Sequence, residues 1–168
     1  MAGLAMSELE ALLRLNMAQG VGAIKCRKLV EHFGSPEAVF GASESQLACV
    51  SDIGPRVAYG IREAARSADV ESELKLAEQH QVRIVPYTDP SYPRNLRSVY
   101  DPPLLLYVKG ELKDTDALAM AIVGSRRASF YGQSQAERLA SGLATAGFCI
   151  ISGLARGIDA AAHRGALK

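Results

Sequence analysis

The sequence has no tryptophan, and six tyrosines and four phenylalanines leave little material for a broad aromatic surface. Its cysteines, Cys26, Cys49 and Cys149, are odd in number, widely separated and without a CxxC pair. None of His32, His80 and His163 falls at metal-ligand spacing from a cysteine. A zinc site or structural disulfide is therefore not expected, and the thiols read as buried and reduced. No apolar run approaches the length of a membrane span; residues 104–108 and 117–123 read as strands. The start, MAGLAMSELEALL, lacks the basic residues of a secretory leader and carries Glu8 and Glu10, which predicts a cytoplasmic protein with no membrane partner. A GxGxxG fingerprint is absent, as are a ribose-binding acid at the usual spacing and a Walker A lysine. Dinucleotide and P-loop chemistry are thereby excluded, and no cofactor or metal is expected.

At 168 residues the chain has room for one medium domain or two small ones. Charge is unevenly spread. Residues 117–168 carry Arg126, Arg127, Arg138, Arg156, Arg164 and Lys168 against only Glu137 and Asp159, so a formal net charge of +1 hides a basic C-terminal segment. Such a segment suits a polyanion.

Residues 1–68 read as a helical domain. Ser7 to Glu10 form a capping box, with Leu9, Leu12, Leu13 and Met17 at helical spacing. Gly20-Val21-Gly22 is a tight turn before a helix with Ala23, Cys26, Val30 and Phe33 inward. Ser35-Pro36 starts a further helix, Ser43 with Gln46 caps another, and Ile53-Gly54-Pro55 opens one carrying Val57, Ala58, Ile61 and Ala65. Helix, glycine turn, helix is the pattern of a helix-hairpin-helix, in which Gly20, Gly22 and Lys25 can touch a nucleic-acid phosphate. The same residues equally suit a structural bundle with close turns and a solvated basic face. Residues 47–62 fit the pattern loosely, because Asp52 replaces the first glycine and repels phosphate.

Residues 69–116 read as a connector: a helix capped by Asp69, with Leu74, Ala77 and Val70 inside, then short strands at 82–86 and 104–108. These strands are expected to add an edge or cap to the following sheet. Residues 117–168 read as two strand–turn–helix units of a Rossmann-like parallel sheet, the first helix with Ala136, Leu139, Ala140 and Leu143 inward. The fold class is thus α/β, a helical domain followed by an incomplete parallel sheet. Its turns, Gly124-Ser125-Arg126-Arg127 and residues 152–159, lie side by side at the carboxyl edge of the sheet, where α/β folds bind ligands. Arg126, Arg127 and Arg156 in such turns are either phosphate ligands or solvated surface charge. Asp159 and His163, one helical turn apart, either form an acid–base pair or steady the helix start.

The segments AIVGSRRASFYG (121–132) and ISGLARGIDAAAHRGAL (151–167), with YPRNLRSVYDPPLLLYVKG (92–110) upstream, resemble the DNA-processing protein A family, also called DprA or Smf. The resemblance implies a protein of bacterial natural transformation that binds incoming single-stranded DNA, forms homodimers, loads the RecA recombinase and is not an enzyme. Carried over by motif, it assigns Gly124, Ser125 and Arg126 to a phosphate pocket, with Arg127 adjacent and Ser152, Gly153, Arg156 and Gly157 beside it. Asp159 and His163 are assigned to holding the turn. The family core continues beyond two βα units, so a truncated chain is expected, with a C-terminal half that needs a partner to complete its sheet. The competing expectation is a nucleotide or phosphoribosyl hydrolase using the same pocket on a related fold.

Overall fold

A computed structural model describes residues 6–168. The chain divides into two compact units that meet between Glu111 and Leu112. The first holds α1 (Glu8–Met17), α2 (Ala23–Phe33), α3 (Pro36–Gly41), α4 (Glu44–Ala48), α5 (Pro55–Ser67), α6 (Val70–Gln79), β1 (Val82–Pro86), α7 (Arg94–Arg97) and β2 (Leu105–Lys109). The second holds a 3-10 turn (Asp114–Ala117), β3 (Ala119–Ala121), α8 (Phe130–Thr145), β4 (Cys149–Ile151) and α9 (Ile158–Ala166). The class is α/β.

In the first unit, both expected capping boxes close. Ser7 Oγ accepts from Glu10 N at 3.3 Å while Glu10 Oε2 accepts from Ser7 N at 2.9 Å, and Ser43 and Gln46 do the same for α4. Leu13, Leu15, Leu29, Val39, Leu47 and Ile61 are fully buried and form one core. Two interhelix turns share a backbone. Val21 N donates to Ala18 O and Ile53 N to Val50 O, at 3.1 and 3.0 Å, and Gly22 and Gly54 each cap the following helix. Gly20 has φ +82°, and Asp52 takes its place in the second turn with φ +66°. Aspartate tolerates the left-handed region better than most side chains, so the repeat survives the loss of its glycine.

The connector departs from expectation. β1 and β2 pair antiparallel with each other, Ile84 opposite Tyr107, and do not extend the parallel sheet. Leu104 and Leu105 belong to the helical core and Ile84 packs against it, so the apolar side of this hairpin is already used. The loop between the strands is built, too. Tyr92 is 2% exposed and its hydroxyl donates to Pro103 O at 2.9 Å; the Arg97 guanidinium lies over the Tyr87 and Tyr92 rings and donates to Asp89 O.

In the second unit, β3 and β4 are parallel neighbours, Ala119 opposite Cys149 and Ala121 opposite Ile151. Ile122 packs with Ala140 of α8 and Ala162 of α9, flanked by Leu143, Ile150 and Ile158. The two helices approach closely because small residues meet. A Cβ on Gly165 would stand 2.1 Å from Glu137 O. That contact corrects the expected inner face of α8: Ala136 and Ala140 are buried, but Leu139 is 57% exposed, since the close crossing has room only for alanine. The thiols also need one correction. Cys26 is fully buried and pushed up to about 12 by that burial, and Cys149 is half-buried, but Cys49 is exposed at the end of the short α4.

Candidate nucleic-acid interface

The two glycine turns of the second unit are held together by one carboxylate. Asp159, in the first turn of α9, is 6% exposed. Its Oδ1 accepts from Gly124 N at 3.2 Å and its Oδ2 from Gly153 N at 3.1 Å. Burial alone would raise this carboxyl. The N–H groups of Gly124, Gly153 and Ala155, with the Ser152 hydroxyl beside them, outweigh it and hold the group below the ordinary 3.8. A negative side chain at the positive end of α9 adds in the same sense. The Gly124 and Gly153 amides and the α9 terminus therefore already serve an anion supplied by the chain itself.

Further bonds fix the two turns. Ser152 Oγ donates to Ile122 O at 2.7 Å, Ile158 N to Ser125 O at 3.2 Å and Arg127 N to Ser125 Oγ at 3.1 Å. Gly157, with φ +88° and ψ −124°, caps α9, and a Cβ there would sit 2.2 Å from Ser125 O. Gly124 is needed for a different reason: a Cβ would lie 2.8 Å from Ile158 Cγ1. Leu154 takes φ +53° within the second turn. The glycines thus let the turns touch each other.

Locked backbones leave the arginines outside. Arg126, Arg127 and Arg156 are exposed, and among the described residues none has an ion-pair partner. His163 is half-buried on α9, and among the described residues no hydrogen bond joins it to Asp159. Sequence reasoning missed Ser129, whose hydroxyl accepts from Gly132 N at 3.1 Å and starts α8 right behind the arginine pair. The signal was a serine three residues before a glycine at the head of an apolar-periodic segment. It also passed over Phe130 and Tyr131, which are 89% and 72% exposed in the first turn of α8.

The other candidate phosphate contacts lie in the first unit, around the Gly20 turn. Lys25 Nζ donates to Gly20 O at 2.9 Å, closing that turn from outside. Arg27 pairs with Asp101 at 2.9 Å, and Lys28 pairs with Asp52 of the second hairpin. Each cation of the first hairpin is engaged within its own unit.

The profile of the family described as DNA recombination-mediator protein A matches residues 83–168. Protein Smf of Synechocystis is 30% identical over 169 aligned residues, covering 98% of this chain and 42% of the relative. Protein Smf of Escherichia coli is 41% identical over 99 residues, covering 59% of this chain and 26% of the relative. The crystal structure of DNA processing protein A from Streptococcus pneumoniae superposes with a TM-score of 0.67 at 29% identity, over 98% of this chain and 55% of that one. The chain thus spans about half or less of the length of these relatives.

Proposed function

Because the chain belongs to the DNA recombination-mediator protein A family, we propose that it binds single-stranded DNA through the sugar–phosphate backbone, at the paired turns of its second unit. The observation that carries the reading is the division of labour around Asp159. The carboxylate consumes the Gly124 and Gly153 amides and sets the geometry, while Arg126, Arg127 and Arg156 stay uncommitted on the outer side. Gly124, Gly153 and Gly157 are then positioning residues, and the guanidinium groups make the phosphate contacts. Arginine suits that work because its planar fork meets two phosphate oxygens at once.

Such contacts carry no base information, so affinity should depend on charge and strand length rather than sequence. The Asp159 carboxylate, engaged by several donors and held in its ionised form, favours this reading over nucleotide or phosphoribosyl hydrolysis, which needs an acid or base free to exchange a proton. Protection of incoming DNA, loading of a RecA recombinase, dimerisation and a cytoplasmic setting extend the same proposal by family membership.

Equilibrium binding of labelled oligonucleotides tests it. The Arg126→Ala/Arg156→Ala double variant should bind oligo-dT, oligo-dC and mixed sequences about 100-fold more weakly and to the same degree, at roughly 2 kcal/mol or less per charged contact. Unchanged affinity, or a loss confined to one sequence, would remove these residues from the interface.

A further inference from the structure

Phe130 and Tyr131 are conspicuous for being unburied. A phenyl ring is among the side chains most reliably withdrawn from water, and Phe130 is 89% exposed. The two aromatics occupy the first two positions of α8, directly after the Ser129 cap and close in sequence to Arg126 and Arg127. Phe130 also stands at the head of a cleft of about 580 Å³ that runs along α8 and α9. Ser134 and Ser141 give the cleft small polar positions along the helix, and Arg138, Arg164 and Lys168 line it with positive charge. Glu137, the acid in the cleft, is paired with Arg164 at 3.6 Å and with Lys168. Those two cations hold its carboxyl below the ordinary range, Lys168 contributing most. Arg138 has no ion-pair partner among the described residues. From Phe130 to Ser141 the helix rises by about 16 Å, enough for a short run of nucleotides.

We infer that Phe130 is a base-stacking platform, with Tyr131 beside it, and that the α8–α9 cleft continues the path of a single strand whose backbone is gripped at Arg126 and Arg127. This rests on the DNA-binding reading above and adds to it a contact of different chemistry. A flat exposed ring in a cleft that also carries Arg138, which has no ion-pair partner among the described residues, is complementary to a ligand with both π-faces and phosphates. Duplex DNA has phosphates but keeps its base faces covered, so the platform selects single strands. Stacking accepts any base, so it adds affinity without sequence preference.

The test uses the absence of tryptophan from the chain. In Phe130→Trp the new indole is the sole tryptophan, and binding of a single-stranded oligonucleotide should quench it. The duplex of the same sequence, and an abasic oligomer of equal length, should not. Phe130→Ala should weaken binding of the base-bearing oligomer roughly 10-fold, within the range of one base–aromatic stack. It should leave abasic binding and the salt dependence as in the parent, whereas Arg126→Ala lowers affinity for both oligomers and flattens the salt dependence. Because Phe130 is almost fully exposed, a matching thermal melt is expected and confirms folding. If Phe130→Ala binds like the parent and the tryptophan is not quenched, while Arg126→Ala still weakens binding, the platform is wrong and the backbone grip stands. Loss of binding to the abasic oligomer in Phe130→Ala would equally overturn the platform. If the parent binds neither oligomer, both readings fall together.

Discussion

Two glycine turns in this molecule look alike on paper and behave differently. Around Gly20–Gly22, and around Gly124–Arg127, a glycine turn precedes a helix and cations stand nearby. In the helical unit the cations turn inward: Lys25 closes on Gly20 O, Arg27 on Asp101, Lys28 on Asp52. In the strand–helix unit an acid turns inward instead, and Asp159 takes the amides of both turns while the arginines remain outside. The lesson concerns counting partners rather than motifs. A basic glycine turn is available to a phosphate only if something else has already satisfied its geometry and nothing has satisfied its cations.

The comparison breaks most severely at the backbone. Gly157→Ala places a Cβ against Ser125 O at positive φ and should cost the second unit about 3 kcal/mol or more, read as a lower denaturation midpoint. Gly22→Ala meets nothing within 4 Å and keeps an ordinary φ, so urea titration should register at most about 1 kcal/mol there. Equal costs at the two glycines would erase the distinction between an interlocked turn and an open one.

Next in size is the contrast between cations. Arg126→Ala alone should weaken single-strand binding about 10-fold, the scale of one charged contact, whereas Lys25→Ala should leave it within about 2-fold. Anisotropy titration of a labelled oligonucleotide reads both. A larger loss at Lys25 would move the interface to the helical hairpin.

Protonation gives a third handle. The Asp159 carboxyl is held below 3.8, so its contribution to stability is complete above that value and is lost as pH falls through the lower, native value. Melting of the second unit should therefore keep its Asp159 contribution down to about pH 4 and surrender it only in stronger acid. Asp159→Asn should melt lower at neutral pH and lose this acid-dependent component; a parent and variant with superposable pH profiles would take Asp159 out of the lock.

The smallest effect belongs to the Lys28–Asp52 pair. Asp52 is exposed and Lys28 half-buried, with water on the carboxylate side of the pair, so Lys28→Met should leave the melting temperature and oligonucleotide affinity close to the parent's.

What could be read from the residues follows the range of the forces. Capping boxes at Ser7 and Ser43, the Pro36 and Pro55 helix starts and the Gly34 stop are local contests between side chain and backbone, and the structure keeps them. The parallel pairing of β3 and β4 was also legible, because a strand–helix–strand segment of this length permits few topologies. Leu139 was misplaced because periodicity marks an apolar stripe without knowing how close the facing helix comes; Gly165 decides that. The β1–β2 pairing depended on Leu104 and Leu105 finding the helical core, a contact remote in sequence. At the site, the arginines and glycines announced themselves. The bond from Gly124 N to Asp159, thirty-five positions along the chain, did not.

Single-strand binding at the paired turns requires that Arg126 and Arg156 meet phosphates. The direct measurement is the slope of log affinity against log salt for a single-stranded oligonucleotide, compared between the parent and the Arg126→Ala/Arg156→Ala variant. Each phosphate contact on a single strand contributes about 0.7 to that slope, so the variant's should be shallower by roughly 1.4. Parallel lines for the two proteins would contradict the assignment.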